Sequence, residues 1–239
     1  TTAMSTEFIS FQPAPGKALE AYDPTLPPTA QPSTVPPIFL EAMAVRTAVF
    51  VEEQHVPATH ELDADDARSY HWVVYASVGV SSSTQPPPSF PNAGSSTTPT
   101  ASRLPVGTIR LVPPPHANHG EGPVRPHSSQ PYVKLGRLAV LKPYRGLGLS
   151  RLLVQAAVEW ARRHPREILV PPTPAEVEAM RLEGKEEPGR WEGKVVVHAQ
   201  VGVQKVWERM GFVRDEGMGV WVEEGIEHVG MWKNVGIVE

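Results

Sequence analysis

Between Val140 and Ser150 the chain reads Val-Leu-Lys-Pro-Tyr-Arg-Gly-Leu-Gly-Leu-Ser, and a strongly amphipathic stretch follows at once. A strand that turns through glycines into a helix aims several backbone N–H groups outward. The helix start adds about half a positive charge. Such a turn suits a phosphate group. Gly146 and Gly148 let a ligand approach the backbone closely, and Arg145 supplies a fixed cation. The pattern is neither the dinucleotide fingerprint G-x-G-x-x-G nor a P-loop with its Lys-Ser/Thr. The plain alternative is an ordinary helix start behind a glycine turn.

Other residues have types that suit proton transfer or charge recognition. Glu52, Glu53, Glu61, Asp63, Asp65 and Asp66 place six carboxylates close together. They form either an attractor for cations or a solvated loop. Arg46 lies beside the apolar stripe of its segment, suited to a carboxylate ligand or to pairing with that acidic run. His198 has an intrinsic pKa suited to proton transfer, or is a satisfied core histidine. His116, His119 and His127 sit in a proline-rich stretch with no regular spacing and no cysteine beside them, so no metal site is expected. Arg162-Arg163-His164 close a helical stretch, where positive charge is favourable.

These residues need elements to position them. Tyr70–Ala76, Val106–Val112, Tyr132–Leu141 and Val195–Ala199 are rich in β-branched and aromatic residues and read as strands. Glu7–Gln12, Phe212–Asp215, Gly219–Val222 and His228–Lys233 read as shorter ones. Ile38–Val51 has helical spacing. So have Leu149, Leu152, Leu153, Ala156, Ala157 and Trp160, and Val203, Val206, Trp207 and Met210. The mixture predicts an α/β or α+β single sheet. Proline is abundant at 27 of 239 residues, about twice the usual share. Most of the prolines fall within Pro13–Pro37 and Pro86–Pro131. Low-complexity or flexible inserts are therefore expected at about 81–104, 113–131 and 165–193, with a short helix near Ala175–Glu183, inside one domain spanning 1–239.

Composition narrows the function. The net charge of −4 argues against a nucleic-acid binder driven by bulk charge. With no cysteine there is no disulfide, Cys-ligated zinc, iron–sulfur centre or Cys nucleophile. No apolar run is long enough to span a bilayer, and no secretory leader pattern is present, so a cytoplasmic protein without a membrane partner is expected.

Arg145-x-x-Gly148-x-Ser150 resembles the acyl-CoA pyrophosphate loop of the GNAT superfamily of N-acetyltransferases, with Ser150 in place of the usual Gly or Ala. VGTIRLV (106–112), KLGRLAV (134–140), VVVHAQ (195–200) and VWERMGF (206–212) resemble that family's third, fourth and fifth strands and its late helix and strand. RTAVFVEEQHVP (46–57), ELDADD (61–66) and VEEGIEHVGM (222–231) are similar to the ElaA-like branch. The resemblance implies a GNAT-like mixed, mostly antiparallel sheet, splayed between strands 4 and 5, with flanking helices. It implies that Leu138, Ala139 and Val140 pair with pantetheine. Arg145, Gly146, Leu147, Gly148, Leu149 and Ser150 would hold the pyrophosphate of acetyl-CoA. It further implies direct transfer of an acetyl group to an amine, with no metal. A small-molecule amine is the expected acceptor. A protein N-terminus or lysine, or non-catalytic acyl-CoA binding, are the alternatives.

Catalytic candidates on this resemblance are Glu53, His198 and Trp207. Asp63 is a further candidate base. Arg46, Glu53, Gln54 and Asp63 are candidate acceptor-binding residues. Trp207 stands where many members carry an acidic Tyr. Indole supplies no proton, so Trp207 is either a core side chain or a wall of the acyl-CoA site.

Overall fold

The computed structural model describes residues 8–78, 102–116, 130–169, 172–184 and 189–238. The expected inserts lie partly outside these residues. In chain order the elements are β1 (Ile9–Gln12), α1 (Pro37–Arg46), β2 (Tyr70–Val78), β3 (Ser102–Val112), β4 (Val133–Val140), α2 (Leu149–Arg163), α3 (Pro165–Ile168), α4 (Pro174–Leu182), β5 (Lys194–Gln200), α5 (Gln204–Arg209), β6 (Val213–Arg214), β7 (Val220–Glu223) and β8 (Ile226–Asn234). The sheet is mixed and mostly antiparallel, with β4 and β5 as a parallel pair. The chain divides into two compact units, residues 1–110 with 137–154, and 111–136 with 155–239.

In the first unit the strand order is β1–β2–β3–β4. β1 runs antiparallel to β2, from Ile9 opposite Val74 to Gln12 opposite His71. α1 starts on Pro37, where a missing N–H costs nothing. It buries Phe39 and Met43 with Val35, and Ala42 with Val73 and Tyr75. Helical spacing predicted a helix running on to Val51. The structure instead ends α1 at Arg46 and widens into a π-turn over Thr47–Glu53. There the Gln54 N–H reaches back five residues to the Val49 carbonyl at 3.1 Å. Val45 and Val49 still face inward, against Ala139 of β4.

Gly107 on β3 explains how α2 is seated. An added Cβ there would meet Val74 Cγ1 at 2.9 Å, the Ala139 carbonyl oxygen at 3.1 Å and Leu153 Cδ1 at 3.2 Å. Only hydrogen leaves room for the first turns of α2 to lie this close to β3 and β4.

In the second unit the order is β4–β5–β8–β6, with β7 also on β8. The parallel register of β4 and β5 runs from Val133 opposite Val195 to Leu135 opposite Val197. A parallel pair requires a crossover, and α2, α3 and α4 all lie in the connecting segment. β5 then runs antiparallel to β8, Val195 opposite Lys233 through Gln200 opposite His228. Val195, Val197, Ala199, Val229 and Met231 are buried. α4 matches the short helix expected near 175–183. Two insert boundaries are corrected. Residues 102–104 belong to β3 rather than to an insert. The ends of the 165–193 segment are core, since Ile168 and Trp191 are buried and the Trp191 indole N–H donates to the Lys194 carbonyl at 2.9 Å.

Candidate functional site

The glycine loop lies in the first unit, between β4 and α2. A 3₁₀ turn over Lys142–Tyr144 leads into it. Gly146 and Gly148 both take left-handed backbone, φ +80° and +79°, which a side chain resists. An added Cβ at either would meet nothing within 4 Å. The constraint is therefore backbone conformation, and the space beside the loop is open. The Gly148 carbonyl accepts the first helical bond, from Leu152 N–H at 3.2 Å. The N–H groups of Leu149 and Ser150 thus lie in the first turn, where no intrahelical carbonyl reaches them. Arg145, Gly146, Leu147 and Gly148 are exposed, and Leu149 and Ser150 half-buried. An anionic group can reach all of these donors.

Leu138, Ala139 and Val140 lead into the loop as the last residues of β4. Ala139 faces the core, while Leu138 and Val140 are half-buried. Just before them Arg137 has a left-handed φ of +51°, uncommon for a residue with a side chain. Arg145 does not project freely. Its guanidinium holds both carboxylate oxygens of Glu53, each at 2.7 Å, and its Nε donates to the Val140 carbonyl at 2.9 Å. The hydrogen bond from Arg145 keeps the Glu53 carboxyl below its usual range, which makes it a poorer base. Gln54 follows as the residue capping the π-turn.

Arg46 settles between its two expected roles. It is fully buried. It donates to the Glu61 side chain and carbonyl, and to Asp66 at 2.7 and 3.1 Å. Arg110 binds both oxygens of Asp63, at 2.7 and 2.9 Å, and lies 3.0 Å from Asp66. Arg137 adds contacts to Glu61 and to Asp63 at 3.3 and 3.2 Å. Burial pushes the Asp66 carboxyl up, but Arg46 and Arg110 outweigh it and hold the group well below the usual range. Burial likewise opposes ionisation of Asp63, and Arg110 reverses it. Arg68 pairs with Asp65 at 2.8 Å, so of the six carboxylates Glu53, Glu61, Asp63, Asp65 and Asp66 all pair with arginines, and Arg46 pairs with that run. No alternating pattern announced this network, because its members are far apart in sequence.

His198 and Trp207 lie in the second unit. His198 is mostly covered, with Nδ1 3.9 Å from Glu223 Oε2 and its ring edge-on to Trp221, centroids 4.9 Å apart. His198 beside it, with Lys134 and His228, holds the Glu223 carboxyl well below its ordinary value against the opposing effect of burial. Glu223 and His228 fall in VEEGIEHVGM and Trp221 just before it, yet nothing in the sequence alone marks the three as a group. Trp207 on α5 is 5% exposed and packs edge-on against Phe212 at 5.1 Å, the geometry of a core side chain. Of the three histidines weighed for metal, His119 and His127 lie outside the described residues. His116 stacks on Tyr132 at 4.4 Å. Among the described residues no group of three His, Cys, Asp or Glu is placed to hold a metal ion.

The fold and loop now stand beside known proteins. Residues 53–170 match the model of the acetyltransferase (GNAT) family. A candidate N-acetyltransferase from Lactobacillus plantarum is similar at 23% identity, over 95% of this chain and 99% of that one, with a TM-score of 0.49. An acyl-CoA N-acyltransferase from Pseudomonas aeruginosa is similar at 23% identity, over 82% and 89%, with a TM-score of 0.45. Escherichia coli ElaA is similar at 17% identity, over 95% and 99%, with a TM-score of 0.47. The chain has the mixed α/β GNAT fold, and its segment 53–170 carries the sequence pattern of the acetyltransferase (GNAT) family.

Proposed function

We propose that this protein is an acyl-CoA-dependent N-acyltransferase that moves an acetyl group from acetyl-CoA to a small amine, in the cytoplasm. The observation that carries the reading is the loop before α2. Two left-handed glycines with open space at each Cβ precede a helix start whose N–H groups lack helical partners. A diphosphate fills that space and takes those donors. Leu138, Ala139 and Val140 then offer extended backbone to the pantetheine arm. Placing the thioester beside an amine supplies most of the rate, since orientation alone lowers such barriers by several kcal/mol. The amine nitrogen attacks the thioester carbon, the C–N bond forms, the C–S bond breaks and the thiolate leaves.

One group must take a proton from the acceptor ammonium. Glu53 is bound to Arg145 and Asp63 to Arg110, both through two hydrogen bonds. His198 is left as the base. A thiol with a pKa of about 8.5 leaves tolerably well as the thiolate, so Trp207 in place of a Tyr is no obstacle.

Free-thiol release from acetyl-CoA, read against polyamines, amino sugars, arylalkyl amines, amino acids and short peptides, tests the reading. A chain without cysteine gives a thiol reagent no protein background. Release is expected with one class of small amine. Gly148→Trp is expected to abolish both release and CoA binding by calorimetry. Full CoA affinity in that variant would remove the loop assignment. Release with peptides alone would shift the acceptor to protein. CoA binding without release would make this a binding module.

A further inference from the structure

Arg46 looked suited to a carboxylate ligand, but its guanidinium is committed to Glu61 and Asp66. Arg110 is committed in the same way to Asp63. Arg137 is the third cation of this network, and it is held differently. Its contacts are long: the His60 carbonyl at 3.3 Å, the Glu61 carbonyl at 3.4 Å and Asp63 Oδ2 at 3.2 Å. All three leave from Nη2, each at or beyond the usual hydrogen-bond length. No described residue takes a hydrogen bond from Nη1. Nε lies 3.3 Å from Glu61 Oε1 without being aligned on it, and is a buried donor with no hydrogen bond.

The backbone is strained where this side chain is needed. Arg137 has a left-handed φ of +51°, and such outliers persist only where their surroundings enforce them. It lies beyond the residues of β4 that pair with β5, and it opens the run Leu138–Val140 that leads to the glycine loop. From Arg137 to Val140 is about 10 Å at the rise of a strand, and the Val140 carbonyl accepts from Arg145 of the loop. Arg137, Glu61, Asp63 and the loop all belong to the first unit. The electrostatics set Arg137 apart as well. Burial opposes the charge on Arg46 and Arg110, but the carboxylates around them outweigh it and raise both groups. At Arg137 burial prevails, aided by the like charges of Arg110 and Arg46, and the guanidinium is pushed down. An added anion there would relieve a cation that its neighbours do not satisfy. Its side chain is 23% exposed, so a solute can reach it.

We infer that Arg137 receives a carboxylate of the acyl acceptor, so that the substrate is an amino acid or another amine with a carboxylate close by. The inference rests on the acyltransferase reading and narrows its acceptor class. An arm along Leu138–Val140, with its diphosphate at the loop, brings its far end towards Arg137. The planar guanidinium binds a carboxylate through two parallel N–H···O bonds. To make them, Nη1 and Nη2 exchange the long contacts to residues 60 and 61 for the two carboxylate oxygens. Glu61 and Asp63 also face Arg137 and would repel a third acid. Each has a closer partner, Glu61 in Arg46 and Asp63 in Arg110. Neither is left unpaired when Arg137 turns to a ligand. A lysine at 137 would offer a point charge without the fork.

The experiment uses the full chain with acetyl-CoA. L-Phenylalanine, L-methionine and L-lysine are each compared with the amine left when the carboxylate is removed: phenethylamine, 3-(methylthio)propylamine and cadaverine. By thiol release, kcat/KM is expected to favour at least one amino acid over its amine. Arg137→Gln should lower that preference, the ratio of the two kcat/KM values, about tenfold to a hundredfold. Arg137→Lys should lose part of it, and guards against a fold that needs a cation at 137. A merely structural role moves both members of a pair together and leaves the ratio alone. Calorimetric titration of the preferred amino acid into protein saturated with CoA reads binding without turnover. Heat is expected from the unaltered protein and none from Arg137→Gln. A ratio unmoved by both substitutions, or thiol release with the decarboxylated amines alone, overturns the inference and leaves the acyltransferase reading standing. No release with any amine removes the acyltransferase reading. Heat that depends on Arg137 then still supports a carboxylate site, and no heat removes both.

Discussion

Glu53 and Arg145 show how two residues with separate assignments alter one another. Glu53 was a base candidate and Arg145 a phosphate ligand. Held together by two 2.7 Å hydrogen bonds, each is partly withdrawn from its role. The pair is about 40% exposed on both sides, so it is readily exchanged for another partner. A diphosphate arriving at the loop competes with Glu53 for the guanidinium. Glu53→Gln is therefore expected to tighten CoA binding about twofold to fivefold, the range that a half-exposed ion pair supports. Isothermal titration in low salt, with pantetheine as the ligand lacking a diphosphate, reads the effect. Weaker CoA binding, or an equal gain for pantetheine, would mean that Glu53 organises the loop instead of competing for its arginine.

At the scale of elements, the segment between the π-turn and β2 is fastened to α1, β3 and β4 by Arg46, Arg110 and Arg137. Three buried or half-buried cations against three carboxylates leave no net charge, which is what makes such burial tolerable. His71 lies beneath them, fully buried and edge-on to Phe39 at 5.1 Å. Burial outweighs the attraction of Asp66 and brings its imidazole down to about 3. Unfolded, it titrates at about 6.5. The folded value is the lower one, so the stability is fully present above about 6.5 and lost as pH falls towards 3. The unfolded chain then takes up a proton that the folded chain refuses. The slope reaches at most about 1.4 kcal/mol per pH unit. Urea unfolding at about pH 7 and about pH 5 should show this loss in the unaltered protein and not in His71→Gln. Equal slopes would mean that another group titrates.

The strands and α2 were legible because burial of one face imposes a period, and that period survives in a single sequence. The glycine loop was legible because left-handed backbone at a helix start selects glycine at 146 and 148. The arginine network was not. Its partners stand 20, 47 and 74 positions apart, Arg46 to Asp66, Arg110 to Asp63 and Arg137 to Asp63. A charge along a chain looks solvated until the fold brings its partner. The π-turn was hidden for a related reason. Val45 and Val49 keep helical spacing while the hydrogen bonds beneath them change step. Glu223 and His228 fall within VEEGIEHVGM and Trp221 just before it, but only the register with β8 puts them beside His198.

At the scale of the molecule, the two units draw on common elements. β3, β4 and α2 each contribute residues to both. Among the described residues no helix is long and apolar enough to cross a membrane. CoA at about a hundred times its dissociation constant adds about 2.7 kcal/mol to the folded state. For a chain of this size that is about 5–10 °C in melting temperature. A thermal melt with and without CoA reads it, and an unmoved melting temperature would count against the loop as the binding site.

Gly107 carries a last consequence. A single methyl there has nowhere to go, because β2, β4 and α2 already fill the space. Pushed away from β3, α2 would take its own first turn with it. On the acyl-CoA reading proposed above, Gly107→Ala is expected to weaken CoA binding from a strand position outside the loop. An engineer loosening or tightening the grip on CoA has a lever at 107, and a surveyor of harmful variants has a position whose damage would be mistaken for a folding defect.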